Sequence, residues 1–312
     1  MRHRHRSDGD SIPQGLPRFR EKGNFRQTKA TVIKMKLTYL GTAAAEGQPA
    51  LFCTCATCRE ARRRGGRDLR TRSQALLDGR LLFDFPPDTM AHMLREGIDL
   101  SQIPDCLLTH THTDHLYADD FENRVPGLSA VGECTFTLWG DARAMAYVEE
   151  RISAYREKMR GFETRPLVPY ETARVGTFSV TPLPASHSPA TFPLIYLVEN
   201  EEGKRLLYAH DTGDFSEAVW EYLTSHPRRL DIVSLDCTYG QRETARTGGH
   251  MNFAANLRTR ERLLALGAAD EHTVFVSNHF SHNGKSVLYD EFAPAAAEHG
   301  FLMSYDGMTV EV

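Results

Sequence analysis

The sequence lacks long hydrophobic runs and a serine-hydrolase motif. No apolar stretch approaches the roughly 18 residues that a membrane-spanning helix needs, and the first 30 residues lack the apolar core of a secretion signal. A G-x-S-x-G motif is also missing, which argues against a serine hydrolase of the nucleophile-elbow type. We therefore expect a cytoplasmic protein with no membrane partner, whose chemistry does not depend on a serine nucleophile.

Basic residues are scarce in the body of the chain and concentrated at its N-terminus. Residues 1–36 hold ten Lys or Arg and three Asp or Glu, whereas the remainder holds 27 basic and 38 acidic residues. The acidic body argues against nucleic acid as a partner, because nucleic-acid-binding proteins usually present a basic surface. For residues 1–34 we expect a disordered basic extension or a start codon assigned too early; a nucleic-acid or targeting arm is the alternative.

Three of the six cysteines form the cluster Cys53-Thr-Cys55-Ala-Thr-Cys58. A disulfide framework is not expected in a chain without a secretion signal. Cysteines at such close spacing are typical of a metal site. The alternative is three unligated thiols.

Strand-like segments alternate with helix-like segments, which indicates an α/β protein. The hydrophobic pattern predicts a strand at 36–40, a hairpin at 73–85 that turns at Asp78-Gly79, a helix at 141–160, and a closing strand pair at 301–305 and 308–312. In the second half, four strand-like segments lead to His187, to His210-Asp211, to Asp236 and to His279. Side chains at the carboxyl ends of strands converge on one edge of a sheet, where sites tend to form.

The most informative segment is His110-Thr-His112-Thr-Asp114-His115, which follows a short apolar strand. Residues two apart on an extended loop point the same way, so His110 and His112 can hold one cation. Asp114 and His115 then extend from the turn toward a second cation. Mixed histidine and carboxylate ligands suit zinc, manganese or iron. The alternative is a polar surface loop that happens to be rich in histidine.

This segment resembles the H-x-H-x-D-H signature of the metallo-β-lactamase superfamily. The resemblance implies an αββα sandwich, two mixed sheets flanked by helices, over residues 35–312. It also implies that His187 completes the first metal site, that Asp211 bridges both metals, and that His279 completes the second. His210, which precedes the bridging residue, is expected to point the other way.

The same resemblance implies a dinuclear hydrolase with two divalent cations, Mn²⁺ or Zn²⁺. A hydroxide that bridges the two cations would attack a phosphorus or carbonyl centre, and no protein nucleophile is needed. Asp114 would act both as a ligand and as a catalytic residue. Asp84 is expected either to support a ligand imidazole from behind the histidine loop or to cap its own strand.

Two further features resemble the phosphoribosyl 1,2-cyclic phosphate phosphodiesterase family of carbon–phosphorus lyase pathways. The residues Cys53, Cys55, Cys58 and His282 match a structural Zn²⁺ site of that family. His250 matches its catalytic histidine, which contacts the phosphate and can protonate the leaving oxygen. The implied substrate is a small cyclic phosphate. The alternative for His250 is an exposed loop histidine.

Two other functions remain open from the sequence. One is another phosphodiesterase of this fold, including a tRNA 3′-processing nuclease, although no basic Gly/Pro-rich arm is present to hold tRNA. The other is a protein of pyrroloquinoline-quinone biosynthesis without phosphodiesterase activity, which shares the cysteine feature. The oligomeric state is also open, with a homodimer as one option.

Overall fold

The computed structural model describes residues 34–243 and 248–312. The extension expected at 1–34 therefore lies outside the described residues, except for Lys34. Within the described ranges, no helix combines the length and the apolar character needed to cross a membrane.

Fourteen strands and six α-helices make up the described part of the chain. The strands are β1 (Lys36–Gly41), β2 (Gln74–Leu77), β3 (Leu81–Phe83), β4 (Asp105–Leu107), β5 (Phe136–Asp141), β6 (Phe162–Leu167), β7 (Ala173–Val175), β8 (Phe178–Pro184), β9 (Leu194–Glu199), β10 (Arg205–Ala209), β11 (Ile232–Asp236), β12 (Val274–Asn278), β13 (Phe301–Met303) and β14 (Thr309–Glu311). The helices are α1 (Ala56–Arg64), α2 (Thr89–Glu96), α3 (Ala142–Arg151), α4 (Glu217–Ser225), α5 (Phe253–Ala265) and α6 (Tyr289–Glu298).

The strands form two seven-stranded mixed sheets. The first sheet has the order β14-β1-β2-β3-β4-β5-β6 and the second has the order β13-β12-β11-β10-β9-β8-β7. Helices α2 and α3 contact the first sheet, whereas α5 and α6 contact the second. This arrangement confirms the predicted αββα sandwich.

Apolar side chains from both sheets meet in the core between them. Phe83 of β3 stacks on Tyr208 of β10, with ring centroids 4.0 Å apart and an interplanar angle of 15°. Leu37 and Val276 belong to the same buried cluster. Because aromatic pairs bury large areas, this contact helps to fix the two sheets face to face.

The hairpin predicted at 73–85 is present as β2 and β3. Asp78 and Gly79 both have positive φ, 50° and 68°, as a two-residue type I′ turn requires. The Asp78 carboxylate also accepts a hydrogen bond from the Lys36 amide at 2.6 Å. The turn is thereby tied to the start of β1.

Two sequence predictions of the fold were wrong. The segments at 301–305 and 308–312 do not pair with each other: β13 pairs with β12 in the second sheet, and β14 pairs with β1 in the first. The turn between them crosses from one sheet to the other. It is held by Asp306, which accepts hydrogen bonds from the hydroxyls of Thr42 at 2.7 Å and Thr71 at 2.5 Å.

The helix predicted at 141–160 ends earlier, because α3 stops at Arg151. A short 3₁₀ turn follows at Arg156–Lys158. Between them, Tyr155 donates its hydroxyl to the Ala118 carbonyl at 3.2 Å. This tertiary contact draws the chain away from the helix axis.

Candidate metal centre

The carboxyl ends of strands from both sheets bring the predicted ligands together. His110 and its loop follow β4 of the first sheet, whereas His187, Asp211 and His279 follow strands of the second. The candidate site therefore lies where the edges of the two sheets meet. Three subsets of these residues have potential ligand atoms within 4.8 Å of one another.

The first ligand set contains His110, His112 and His187. Nε2 of His110 lies 2.8 Å from Nδ1 of His112, and Nε2 of His187 lies 3.2 Å from the same Nδ1. Oδ1 of Asp211 lies 3.9 Å from Nε2 of His110 and 3.7 Å from Nε2 of His187. Three imidazole nitrogens and one carboxylate oxygen thus converge, a donor set that suits a divalent transition metal.

The second set contains Asp114, His115 and His279. Oδ2 of Asp211 lies 2.8 Å from Nε2 of His115 and 2.8 Å from Nε2 of His279. Nε2 of His115 also lies 3.3 Å from Oδ2 of Asp114. Asp211 therefore faces one set with each of its two oxygens, as a bridging carboxylate would.

Unpartnered buried atoms in the second set fit a cation. Nε2 of His115, Oδ2 of Asp211 and Nε2 of His279 are buried and have no hydrogen-bond partner among the described residues. Leaving a buried polar atom unpaired is costly. One divalent cation would satisfy all three atoms at once, so the residues present fit a metal.

Hydrogen bonds on the far side of the imidazoles orient the ligand nitrogens. Nδ1 of His115 lies 2.7 Å from Oδ2 of Asp84, whose other oxygen accepts the Thr109 amide at 2.7 Å. Nδ1 of His187 lies 2.9 Å from the Gly249 carbonyl. A proton on each Nδ1 leaves Nε2 to face the metal side. Asp84 therefore makes the contact that the sequence suggested.

Three of the eight described non-glycine residues with positive φ belong to this centre. Asp84, Asp211 and His279 all have positive φ, 67°, 50° and 65°, although none is a glycine. Residues with side chains rarely adopt this left-handed region, and such strain clusters at functional sites. The strained backbone aims all three side chains into the site at the ends of their strands.

Electrostatics favour the metal-binding protonation states of His110 and Asp211 but not of every candidate ligand. Burial holds the pKa of His110 well below its ordinary value, which favours the neutral imidazole. Burial alone would raise the pKa of Asp211, but the facing His115 and His279 outweigh it and hold the pKa well below the usual range. A neutral imidazole and an ionised carboxylate are the metal-binding forms. Burial alone would lower the pKa of His115 and His279, but the Asp211 carboxylate between them outweighs it and raises both, so a cation would have to displace protons there.

A buried carboxylate at the end of β11 joins this centre to His250. Oδ2 of Asp236 lies 3.1 Å from Nδ1 of His250 and 3.4 Å from Nδ1 of His279. The same oxygen accepts the Asp211 amide at 3.1 Å. The sequence placed Asp236 at a strand end but gave it no role; only the three-dimensional arrangement shows that it touches all three residues.

His250 lies beside the metal ligands and is partly open to solvent. Its ring stacks on that of His279 with centroids 5.6 Å apart, and 23% of its side chain is exposed. Burial alone would lower the pKa of His250, but the Asp236 carboxylate outweighs it and raises the pKa. Nδ1 of His250 lies 4.0 Å from Oδ1 of Asp211, so the residue also stands near ligand distance.

His210 points away from the metal ligands, as expected. Its Nε2 lies 2.8 Å from the hydroxyl of Ser234, and its ring packs 4.0 Å from that of Tyr208. The side chain is buried in the second sheet.

The cysteine cluster meets His282 in a second candidate site. Sγ of Cys53 and Sγ of Cys55 each lie 3.6 Å from Nδ1 of His282. Tetrahedral zinc bonds of about 2.3 Å to sulfur and about 2.0 Å to nitrogen would put those atoms about 3.6 Å apart. Cys58 completes the group, with all four ligand atoms within 4.8 Å of one another.

Backbone amides donate to two sulfurs of this cluster. The Cys58 amide donates to Sγ of Cys55 at 3.4 Å, and the Ala50 amide donates to Sγ of Cys58 at 3.3 Å. Burial acts to raise the pKa of the Cys55 thiol, but the Cys58 amide and His282 outweigh it and lower the pKa to about 6, which favours the thiolate, the metal-binding form. At Cys58 burial and the two neighbouring cysteines outweigh the Ala50 amide and raise the pKa to about 11, so a metal would have to displace its proton. Because His282 follows His279 by three residues, a metal here would tie the loop at 53–58 to the sheet edge that carries the candidate metal centre.

Comparison with known proteins establishes the family. A family model described as the beta-lactamase superfamily domain matches residues 79–275. The chain therefore belongs to this superfamily of metallo-β-lactamase-fold hydrolases. The matched range includes the histidine loop, His187 and Asp211 but stops before His279 and omits the cysteine cluster. No curated protein matches the chain significantly.

Solved structures with the same fold cover nearly the whole chain. A diphosphatase from the PhnP family has a TM-score of 0.67 at 21% identity, over 90% of this chain and 98% of its own. Zinc-bound PqqB from Methylobacterium extorquens has a TM-score of 0.69 at 20% identity, over 89% and 100%. The short form of human tRNase Z has a TM-score of 0.60 at 16% identity, over 88% and 98%. At these identities the likeness is one of fold.

Proposed function

We propose that this chain is a dinuclear metal-dependent phosphodiesterase that hydrolyses a small cyclic phosphate. The observation that carries the proposal is the placement of Asp211, whose two oxygens face two separate ligand sets. When bound, two divalent cations lower the pKa of water and neutralise charge that develops on phosphoryl oxygens.

The protein residues then have separate roles. His110, His112 and His187 would hold one cation, and Asp114, His115 and His279 would hold the other, with Asp211 facing both sets. Asp84 and the Gly249 carbonyl keep two of the imidazoles turned so that Nε2 faces the metals. Ligands held in these orientations would fix the phosphate in one orientation. Such positioning is the main contribution that a protein makes to phosphoryl transfer.

His250 supplies the proton for the leaving oxygen. Its Nδ1 is held by Asp236 at 3.1 Å, so Nε2 is the nitrogen that can carry a transferable proton. Although burial acts to lower the pKa of His250, the Asp236 carboxylate raises it, which favours the protonated ring. An alkoxide leaving group is a strong base and departs readily only as the alcohol.

A panel of phosphodiesters tests the proposal. Full-length protein loaded with Mn²⁺ or Zn²⁺ is assayed with ribose cyclic phosphates, nucleoside cyclic phosphates, a bis-nitrophenyl phosphodiester and diphosphate diesters. The last class is included because one fold relative is a diphosphatase. We expect turnover of a small cyclic phosphate, with release of one phosphomonoester. Asp211→Ala removes the shared ligand and should abolish that turnover.

The same panel separates the alternatives. Preference for a tRNA precursor over every small diester would favour a processing nuclease, and preference for a diphosphate diester would favour a diphosphatase. No turnover of any phosphodiester by metal-loaded protein would contradict the proposal. That result would favour the non-phosphodiesterase role that resemblance to the pyrroloquinoline-quinone protein suggests.

A further inference from the structure

The outer side of the first sheet carries a cavity that the proposed chemistry does not use. It has a volume of about 460 Å³ and lies between α2 and residues 120–136. Phe85, Phe121 and Phe136 form one wall, with ring centroids of Phe85 and Phe121 4.8 Å apart. Met93 and Leu100 line it as well. Pockets of this size with mostly apolar walls and a few polar groups are typical of small-molecule sites.

One carboxylate in this cavity lacks a partner. Asp120 lines the cavity and is half-buried, and its side chain makes no hydrogen bond or ion pair with any described residue. Burial, together with the neighbouring charge of Asp119, raises the pKa of Asp120. Solvent still reaches this carboxylate, so it is free to pair with a hydrogen-bond donor or a positive charge on a ligand in the cavity.

The other charged group of the cavity already has partners. Arg124 donates through its guanidinium to the backbone carbonyls of Cys134 at 2.8 Å and Arg160 at 3.1 Å, and also to that of Gly161. Asn123 donates its side-chain amide to the backbone carbonyl of Asp120, not to its carboxylate. Of the two charged side chains that line the cavity, the Asp120 carboxylate therefore lacks a hydrogen-bond donor. The Arg124 guanidinium already donates to three backbone carbonyls.

We propose that this cavity binds a small apolar molecule that ends in a primary ammonium group. The carboxylate of Asp120 pairs with the ammonium, and the phenylalanine and methionine side chains cover the apolar body. Aromatic rings beside the carboxylate add to the attraction for a cation. The inference does not depend on the phosphodiesterase proposal.

The cavity and the metal centre lie on opposite sides of one segment. The Phe85 amide donates to the His115 carbonyl at 2.8 Å, and the Tyr117 amide donates to the Phe85 carbonyl at 2.7 Å. Phe85 thus presents its ring to the cavity, while its backbone touches the histidine loop. A phosphate at the metal centre should leave the cavity accessible.

Three probes of one shape test the proposal. Phenylbutylamine, phenylbutanol and phenylbutyrate are titrated by calorimetry into full-length, metal-loaded protein saturated with inorganic phosphate. We expect the amine to bind about tenfold more tightly than the carboxylate, because one partly desolvated charge pair is gained. Equal affinity for all three probes, or binding by none, would overturn the proposal. Displacement of the amine by phosphate would place it at the metals and would also overturn it.

Variants locate the binding. Asp120→Asn should remove the preference for the amine and leave the affinity for phenylbutanol unchanged. Asp119→Asn is the matched control, because it makes the same charge change one residue away on an exposed side chain. Met93→Ala should weaken all three probes, because Met93 lines the cavity and its truncation removes apolar wall. An equal loss in Asp119→Asn and Asp120→Asn, or no effect of Met93→Ala, would show that the cavity is not the site.

Discussion

His250 tests the proposed chemistry at the scale of one residue. If it protonates the leaving oxygen, His250→Ala should lower kcat by on the order of 10²–10⁴-fold on a cyclic ribose phosphate. A nitrophenyl diester should lose much less, because its leaving group departs without a proton. Steady-state kinetics on both substrates measure the difference, with the exposed His272→Ala as control.

Two outcomes would assign His250 differently. Equal losses on both substrates would indicate phosphate binding, because binding does not depend on the basicity of the leaving group. A loss of one metal ion in His250→Ala would make the residue a ligand, as its 4.0 Å distance from Asp211 allows. No loss on either substrate would show that His250 has no role in turnover.

Asp236 is predicted to act through His250. Asp236→Asn keeps the size of the side chain but removes the charge that holds Nδ1 of His250. We expect Asp236→Asn to turn over the cyclic phosphate more slowly than the wild type. The double variant Asp236→Asn/His250→Ala should be no slower than the slower of the two single variants. Residues that act as one unit give such non-additive losses. Losses that multiply would show that Asp236 acts mainly on Asp211 and His279.

Residue types were readable from the sequence, but their backbone conformations were not. The histidine loop and the later strand ends supplied the candidate ligands in advance. The positive φ of Asp84, Asp211 and His279 could not be read from the sequence, because Asp and His, although enriched in that region relative to other residues, adopt it only in a minority of cases. Asp236 was missed as an orienting residue for a related reason: its contacts come from residues 14 and 43 positions further along the chain.

At the scale of elements, the cysteine loop and the start of α1 should depend on zinc. Cys55→Ala removes one ligand of the cluster and frees the loop that Cys53 and His282 hold. A loss of ~3 kcal/mol, modest for a structural zinc, would lower Tm by roughly 5 °C in a chain of this size. Differential scanning calorimetry with metal analysis measures both. Cys134→Ala, outside the cluster, is the control and should melt like the wild type.

The contrast with Asp211→Ala separates the two kinds of site. That variant should keep the zinc of the cysteine cluster while losing activity. A Cys55→Ala protein that retained all its zinc and its Tm would contradict a structural site.

Elements were predictable where local signals decide them. The Asp78-Gly79 hairpin needs only its own turn residues, so its register followed from the sequence. The partners of β13 and β14 depend on strands far away in the chain, and a short turn such as 304–308 reads like a hairpin whether or not its strands pair. The end of α3 was also misjudged, because the Tyr155 hydroxyl bond to Ala118 is a tertiary contact.

The whole molecule should hold three metal ions. The two ligand sets around Asp211 and the Cys53, Cys55, Cys58 and His282 group each fit one cation. Elemental analysis of protein purified without chelator should approach three ions per chain. One ion or fewer in fully active protein would contradict the dinuclear centre.

The pairing of β14 with β1 links the start and the end of the described chain. Met35 and Val312 exchange backbone hydrogen bonds at 3.2 and 3.1 Å, and β13 covers β12 in the other sheet. During synthesis, the strands that finish both sheets therefore leave the ribosome after every other described strand. Until then β1 and β12 present open edges, which are prone to pair with other chains. The nascent protein is thus most vulnerable to aggregation just before β13 and β14 emerge, and shielding by chaperones matters most at that moment.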